Sequence, residues 1–193
     1  METDEGILAV KAARTSIEAE TQGIMSEIDL PDSFDRKSGV FVTINTYPSG
    51  DLRGCIGYPE PVFPLKDALI HSAESACHDP RFMPLSFKES INCTVEVTIL
   101  SEPVLMECPK EEIPKNIVIG RDGLIIQFGR RRGLLLPQVP VEWGWDVNEY
   151  LQQICYKAGL PADAWKLKDS MMMWTFTGEI FHETSPRGEI VRG

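Results

Sequence analysis

Apolar residues near the start of the chain recur at helical spacing, with Ile7, Val10, Ala13 and Ile17 set in a stretch rich in Ala, Glu and Lys. That period predicts an amphipathic helix over residues 4–21, with Gly23 just beyond its end. The pattern then changes to alternation. Residues 39–47 are β-branched at every second position, 48–51 (Pro-Ser-Gly-Asp) carry turn chemistry, and 52–58 form a second strand of a hairpin. Leu65, Ala68, Leu69, Ala73 and Ala76 return to helical spacing over 64–77, and the Asp79-Pro80 step ends that helix because a residue before proline avoids the helical region. Residues 93–100 alternate again as a strand.

A Pro-rich connector with a Lys-Glu-Glu run, residues 101–116, separates this half from strands predicted at 117–120, 124–128 and 133–136, joined by Arg-Asp-Gly and Arg-Arg-Arg-Gly turns. Asp146 and Glu149 have the spacing of a capping pair, opening a helix that runs to Ala158 before Gly159 and Pro161 stop it. Residues 171–177 read as a late buried strand, and the charged tail from Glu183 is predicted to fray. The expectation is a single α+β domain over 1–193, built of mainly antiparallel sheets with packed helices. It divides into two interlocked subdomains with a seam near 101–116.

Composition narrows the setting. A chain of 193 residues supports one substantial core, burying about 70% of the surface its unfolded form exposes. Cys55, Cys77, Cys93, Cys108 and Cys155 are odd in number and lack CxxC spacing, which argues against a disulfide framework and against a zinc site. With an acidic N-terminus and no apolar run near the roughly 18 residues of a membrane span, the expectation is a soluble cytoplasmic protein with reduced cysteines. A formal net charge of −10 disfavours nucleic acid and anionic membranes. Against that background Arg121, Arg130, Arg131 and Arg132 stand out, either as a clamp for phosphate or carboxylate or as the solubilising charges of an exposed turn.

The stretch Leu52-Arg53-Gly54-Cys55-Ile56-Gly57 places a thiol between two glycines, two residues after an arginine. A guanidinium beside the sulfur favours thiolate, and glycines let a ligand approach backbone N–H groups. The same residues equally describe a packed cysteine where two backbones cross tightly. A nucleophile needs a base, and the chain offers His71, His78 and His182. Asp79 and Arg81 flank Pro80 as an ion pair or as substrate contacts. Gln138 sits between Pro137 and Pro140 on a stiff segment, followed by Glu142, Trp143 and Trp145, and suits either a pocket wall or a core. Cys155 shares the apolar stripe of the last helix.

The hexapeptide resembles the signature of the AMMECR family. So do Asp79-Pro80-Arg81-Phe82, Ile119-Gly120-Arg121-Asp122-Gly123-Leu124, the block Gly133 to Pro140 with Glu142 to Asp146 behind it, and Cys155 to Pro161, in family order. The resemblance covers residues 5 to 183. It implies the family's fold, no settled activity, no named cofactor, and an association with Memo-like and radical-SAM proteins in a modification pathway. It also leaves open a thiol pair between Cys55 and Cys155. Residues and resemblance together lead to an enzyme or enzyme subunit with a cleft between the two subdomains. In it Cys55 is the reactive thiol, Arg53 and Asp79 assist it with Asp79 orienting Arg53, and Gly54, Gly57, Arg81, Gln138 and Glu142 contact a small-molecule or protein substrate. The alternative is a binding or adaptor module without chemistry, holding a phosphorylated partner or RNA on the arginine turn.

Overall fold

The computed structural model describes residues 3–167 and 170–193. Along the chain run α1 (Thr3–Gln22), β1 (Val40–Thr46), β2 (Leu52–Tyr58), α2 (Leu65–Ala76), α3 (Phe87–Ser90), β3 (Cys93–Leu100), β4 (Val104–Leu105), β5 (Asp122–Phe128), β6 (Arg131–Leu135), α4 (Gln138–Trp143), α5 (Val147–Lys157), α6 (Ala164–Leu167), β7 (Met172–Glu183) and β8 (Ile190–Arg192). Every strand pairing with a described register is antiparallel, and the architecture is α+β. Two compact units divide the chain, residues up to Leu100 with Glu179–Gly193, and Ser101–Gly178. No helix among the described residues is long and apolar enough to cross a membrane.

In the first unit β1 lies between β2 and β3, and Thr43 is opposite Cys55 on one side and Glu96 on the other. Alternation sends Val40, Val42, Ile44, Val95 and Val97 into a core closed by Val10, Ala13 and Ile17 of α1 and Leu65, Leu69 and Ala73 of α2. Thr43, Glu96, Thr94 and Thr98 therefore take the other face. A buried arginine ties the unit together. Arg14 donates to Glu183 and to the carbonyls of Ser90 (2.8 Å) and Cys93 (2.6 Å), and the Glu183 carboxylate also accepts the Val95 N–H at 3.0 Å. The tail does not fray as its composition predicts. Thr184 N–H reaches Glu189 O at 2.9 Å, turning the chain back so that Ile190–Arg192 pairs with Phe181–Glu183.

In the second unit β5 pairs with β6 and with the first half of β7, and β4 pairs with β7. Tyr150, Leu151 and Ile154 of α5 pack on Leu124 and Ile126 of β5. Gly133 of β6 permits this approach, since a Cβ there would press on the Ala158 amide at 2.8 Å. Asp146 caps α5 as its spacing predicts, accepting the Glu149 N–H at 2.9 Å while the Glu149 carboxylate accepts the Asp146 N–H at 3.0 Å.

Two local predictions need correction. Residues 117–120 are not a strand, because the Asp122 carboxylate accepts the Val118 N–H at 2.8 Å and the Arg121 and Asp122 amides turn back to Val118 O. The 101–116 connector contains β4 and a 3-10 segment, Lys110–Asn116. The stiff segment that carries Gln138 is helical. Gln138 opens α4, where Pro137 and Pro140 are tolerated because first-turn N–H groups have no partner inside the helix.

Candidate functional site

Cys55 sits mid-way along β2, whose strand neighbour is β1. Its backbone N–H donates to Asp79 Oδ2 at 2.9 Å, and its carbonyl accepts from Arg81 Nη2 at 3.4 Å. Both backbone groups therefore point away from β1, so Cys55 and Thr43 form a pair without mutual backbone bonds, the type in which side chains lie closest. Thr43 Oγ1 donates to the Cys55 sulfur at 3.2 Å.

Asp79 is 2% exposed and also accepts the Arg81 amide (3.0 Å), Nε (3.0 Å) and Nη2 (2.7 Å). These bonds hold its carboxyl well below the usual carboxylate range, Arg81 contributing most. The pair acts as a substitute strand at Cys55, one side chain accepting where a neighbouring carbonyl would and the other donating where a neighbouring amide would. Pro80 holds the two residues apart in sequence by one rigid step.

This corrects two expectations. Asp79 does not orient Arg53. Arg53 instead donates through Nη2 to Met83 O (2.9 Å) and Glu89 Oε1 (3.2 Å). The arginine that acts on the sulfur is Arg81, not Arg53, and it does not prevail. Burial pushes the Cys55 thiol up, the Thr43 bond and the Arg81 charge oppose that rise, and Glu96 and Asp79 add to it. The resting thiol is thus protonated at neutral pH. Arg53 and Arg81 nevertheless converge, each guanidinium lying 5.7 Å from the centroid of the Phe82 ring.

The glycines have a packing cause. A Cβ on Gly54 would overlap the Ala76 carbonyl oxygen at the end of α2, and one on Gly57 would overlap Val40 O and the Phe41 ring. Beside this cluster a cavity of about 330 Å³ opens in the same unit, walled by Thr46, Tyr47, Arg53, Lys88, Glu89 and Asn92.

Glu96 was not singled out in the sequence. It shares Thr43 with Cys55 across the sheet, burial pushes its carboxyl up, and His182 opposes that rise. Its signal was available: Thr94, Glu96 and Thr98 are the polar half of an alternating strand, and a glutamate in that row has few reasons to be half-buried. His71 lies edge-on to Phe63 and His78 is bound to Glu20 at 2.7 Å, and neither is among the groups acting on the Cys55 sulfur.

In the second unit Gln138 and Glu142 are both exposed on α4, one helical turn apart. Trp143, 71% exposed, stacks on Trp145 with centroids 6.0 Å apart. Cys155 is fully buried in that unit's core, and both it and Cys55 are free thiols, so no Cys55–Cys155 bridge is present. The arginine run does not converge as a clamp. Arg121 is bound to Asp122 at 2.7 Å, Arg131 donates to Gly159 O at 2.7 Å, and Arg131 and Arg132 stand opposite Phe128 and Gln127, on alternate faces of β6. Among the described residues no group of His, Cys, Asp and Glu could hold a metal ion.

The AMMECR1 family model matches residues 10–181. Proteins of Methanocaldococcus jannaschii and Methanococcus aeolicus are each 50% identical over 192 residues, covering 97% of this chain and 94% and 96% of theirs. The crystal structure of an uncharacterized protein from Pyrococcus horikoshii aligns with a TM-score of 0.82 at 46% identity, covering 100% of this chain and 98% of that one. The chain belongs to the AMMECR1 family.

Proposed function

We propose that this protein is an enzyme, or a subunit of one, that uses Cys55 as a nucleophile toward an anionic electrophilic substrate in a cytoplasmic modification pathway. The observation that carries this reading is the Arg81 guanidinium, fixed by Asp79 and donating to the Cys55 carbonyl. A thiol held protonated by burial is protected from random oxidation and alkylation, and an arriving anion meets Arg81 beside it. When the sulfur attacks carbon, the S–C bond forms, the leaving group departs with its electron pair, and the thiol proton passes to solvent. Resemblance to the AMMECR family supports Memo-like and radical-SAM proteins as partners.

Competing alkylation tests this. Iodoacetate and iodoacetamide differ in charge, so Cys55 should favour iodoacetate by about threefold or more relative to the partly exposed Cys108. Arg81→Gln should remove that preference. The adaptor reading has less support, because Arg121 and Arg131 are bonded within the protein.

A further inference from the structure

The 330 Å³ cavity of the first unit is separate from the thiol, since Cys55 does not line it. Its volume is at the small end of the roughly 300–1,000 Å³ typical of small-molecule sites, which suits a metabolite rather than a nucleotide or a peptide. Its charges are unbalanced. Glu89 is committed, with Oε2 accepting from the Ser86 amide (2.9 Å) and hydroxyl (2.7 Å) and Oε1 accepting from Arg53. Those Ser86 bonds, ahead of Arg53, hold the Glu89 carboxyl below its ordinary value, so it remains a fixed anion of the wall.

Two cationic residues, Arg53 and Lys88, line the cavity with this single carboxylate. The Arg53 side chain is 13% exposed, and only its Nη2 is used, shared between Glu89 and Met83 O. Its Nε and Nη1 donors have no protein partner among the described residues, and Lys88 pairs with no carboxylate among them. Neither donor is a buried atom left without a partner, so both are open to an acceptor that enters the cavity, and a carboxylate suits a guanidinium's paired N–H groups. The excess is one positive charge, in a chain whose net charge is −10. The Tyr47 ring, half exposed, supplies a flat apolar side, and Thr46 and Asn92 supply polar groups.

We propose that this cavity binds a small organic monocarboxylate, its carboxylate held by Arg53 and Lys88 and its planar or apolar body against Tyr47. One excess charge favours a monoanion over a phosphate dianion. The assignment goes beyond the thiol chemistry and does not depend on it.

The test is an NMR titration of the 15N-labelled full chain with benzoate, benzamide and phenyl phosphate. Benzoate should shift the Tyr47 and Asn92 amides saturably, with benzamide at least about tenfold weaker, the equivalent of one charge-assisted hydrogen bond. Arg53→Gln should abolish benzoate binding. Lys88→Gln, on an exposed side chain outside the core, should weaken it several-fold with the rest of the spectrum unchanged, which keeps the test decisive if the arginine variant misfolds. Benzamide matching benzoate, shifts mapping elsewhere, or no saturable shift would overturn the proposal, and phenyl phosphate binding more tightly than benzoate would overturn its monocarboxylate assignment. The titration reads no thiol reaction, so its failure and the failure of the Cys55 reading are distinct results.

Discussion

Asp79 and Cys55, 24 positions apart in the chain, are joined by a 2.9 Å bond from the Cys55 backbone N–H to a carboxylate that is almost fully buried. The bond closes the open side of β2 at the cysteine and simultaneously fixes Arg81 over it. Removing the carboxylate leaves a strand N–H without its acceptor and a guanidinium without its partner. Arg81 is 55% exposed and rehydrates, so the cost of Asp79→Ala is that of a strand N–H left without its acceptor, about 1–3 kcal/mol of stability in urea unfolding. A loss below about 0.5 kcal/mol would mean that the edge is closed by something else.

The same carboxylate sets a pH dependence. Its folded pKa is depressed, chiefly by Arg81, so its contribution is fully present above the unfolded value of about 3.9 and is lost as pH falls through the folded one. Wild type should lose stability on acidification below about pH 4 more steeply than Asp79→Asn. Parallel curves for the two proteins, from urea midpoints between pH 2 and 5, would contradict this.

Glu96 acts in the opposite sense. Burial raises its pKa, so its contribution is fully present below the unfolded carboxylate value and declines as pH rises through the folded one. Glu96→Gln should be at least as stable as wild type at neutral pH. It should also lower the Cys55 pKa, because the Glu96 charge is one of the groups that raise it. The rate of Cys55 alkylation against pH, resolved by peptide mass spectrometry, reads this, and a Cys55 titration that stays in place would exclude electrostatic coupling across Thr43.

Gly54→Ala should destabilise by about 1–3 kcal/mol, because the added methyl overlaps a backbone carbonyl of α2 that cannot rotate aside. Gly50→Ala is the contrasting control. Its methyl meets no atom within 4 Å, and its only strain comes from a φ of +74°. Equal losses at the two positions would show that conformation, not close approach, accounts for the glycine beside Cys55.

Much of the fold was legible because alternation and capping are local. Leu52–Tyr58 and Cys93–Leu100 occupy the predicted strand positions, and α5 begins at its Asp146–Glu149 pair. The short helices α3, α4 and α6 span six residues or fewer and show no period, so only their caps or prolines could have marked them. The tail was misread because the glutamate that anchors it, Glu183, answers to Arg14 at the other end of the chain. The site was half legible. Arg53, Cys55, Asp79 and Arg81 were singled out by type and spacing, but which arginine serves the sulfur depends on partners brought together only by folding. Glu96 was overlooked because its meaning lies in register with Thr43, not in its neighbours along β3.

The most direct test of the thiol account is the rate of Cys55 carboxymethylation by iodoacetate relative to carbamidomethylation by iodoacetamide, in wild type and in Arg81→Gln, read by peptide mass spectrometry with Cys108 as the internal standard. Cys55 should prefer iodoacetate by about threefold or more in the wild type and lose that preference in the variant. Equal rates in the wild type, or a preference that survives loss of Arg81, would contradict it.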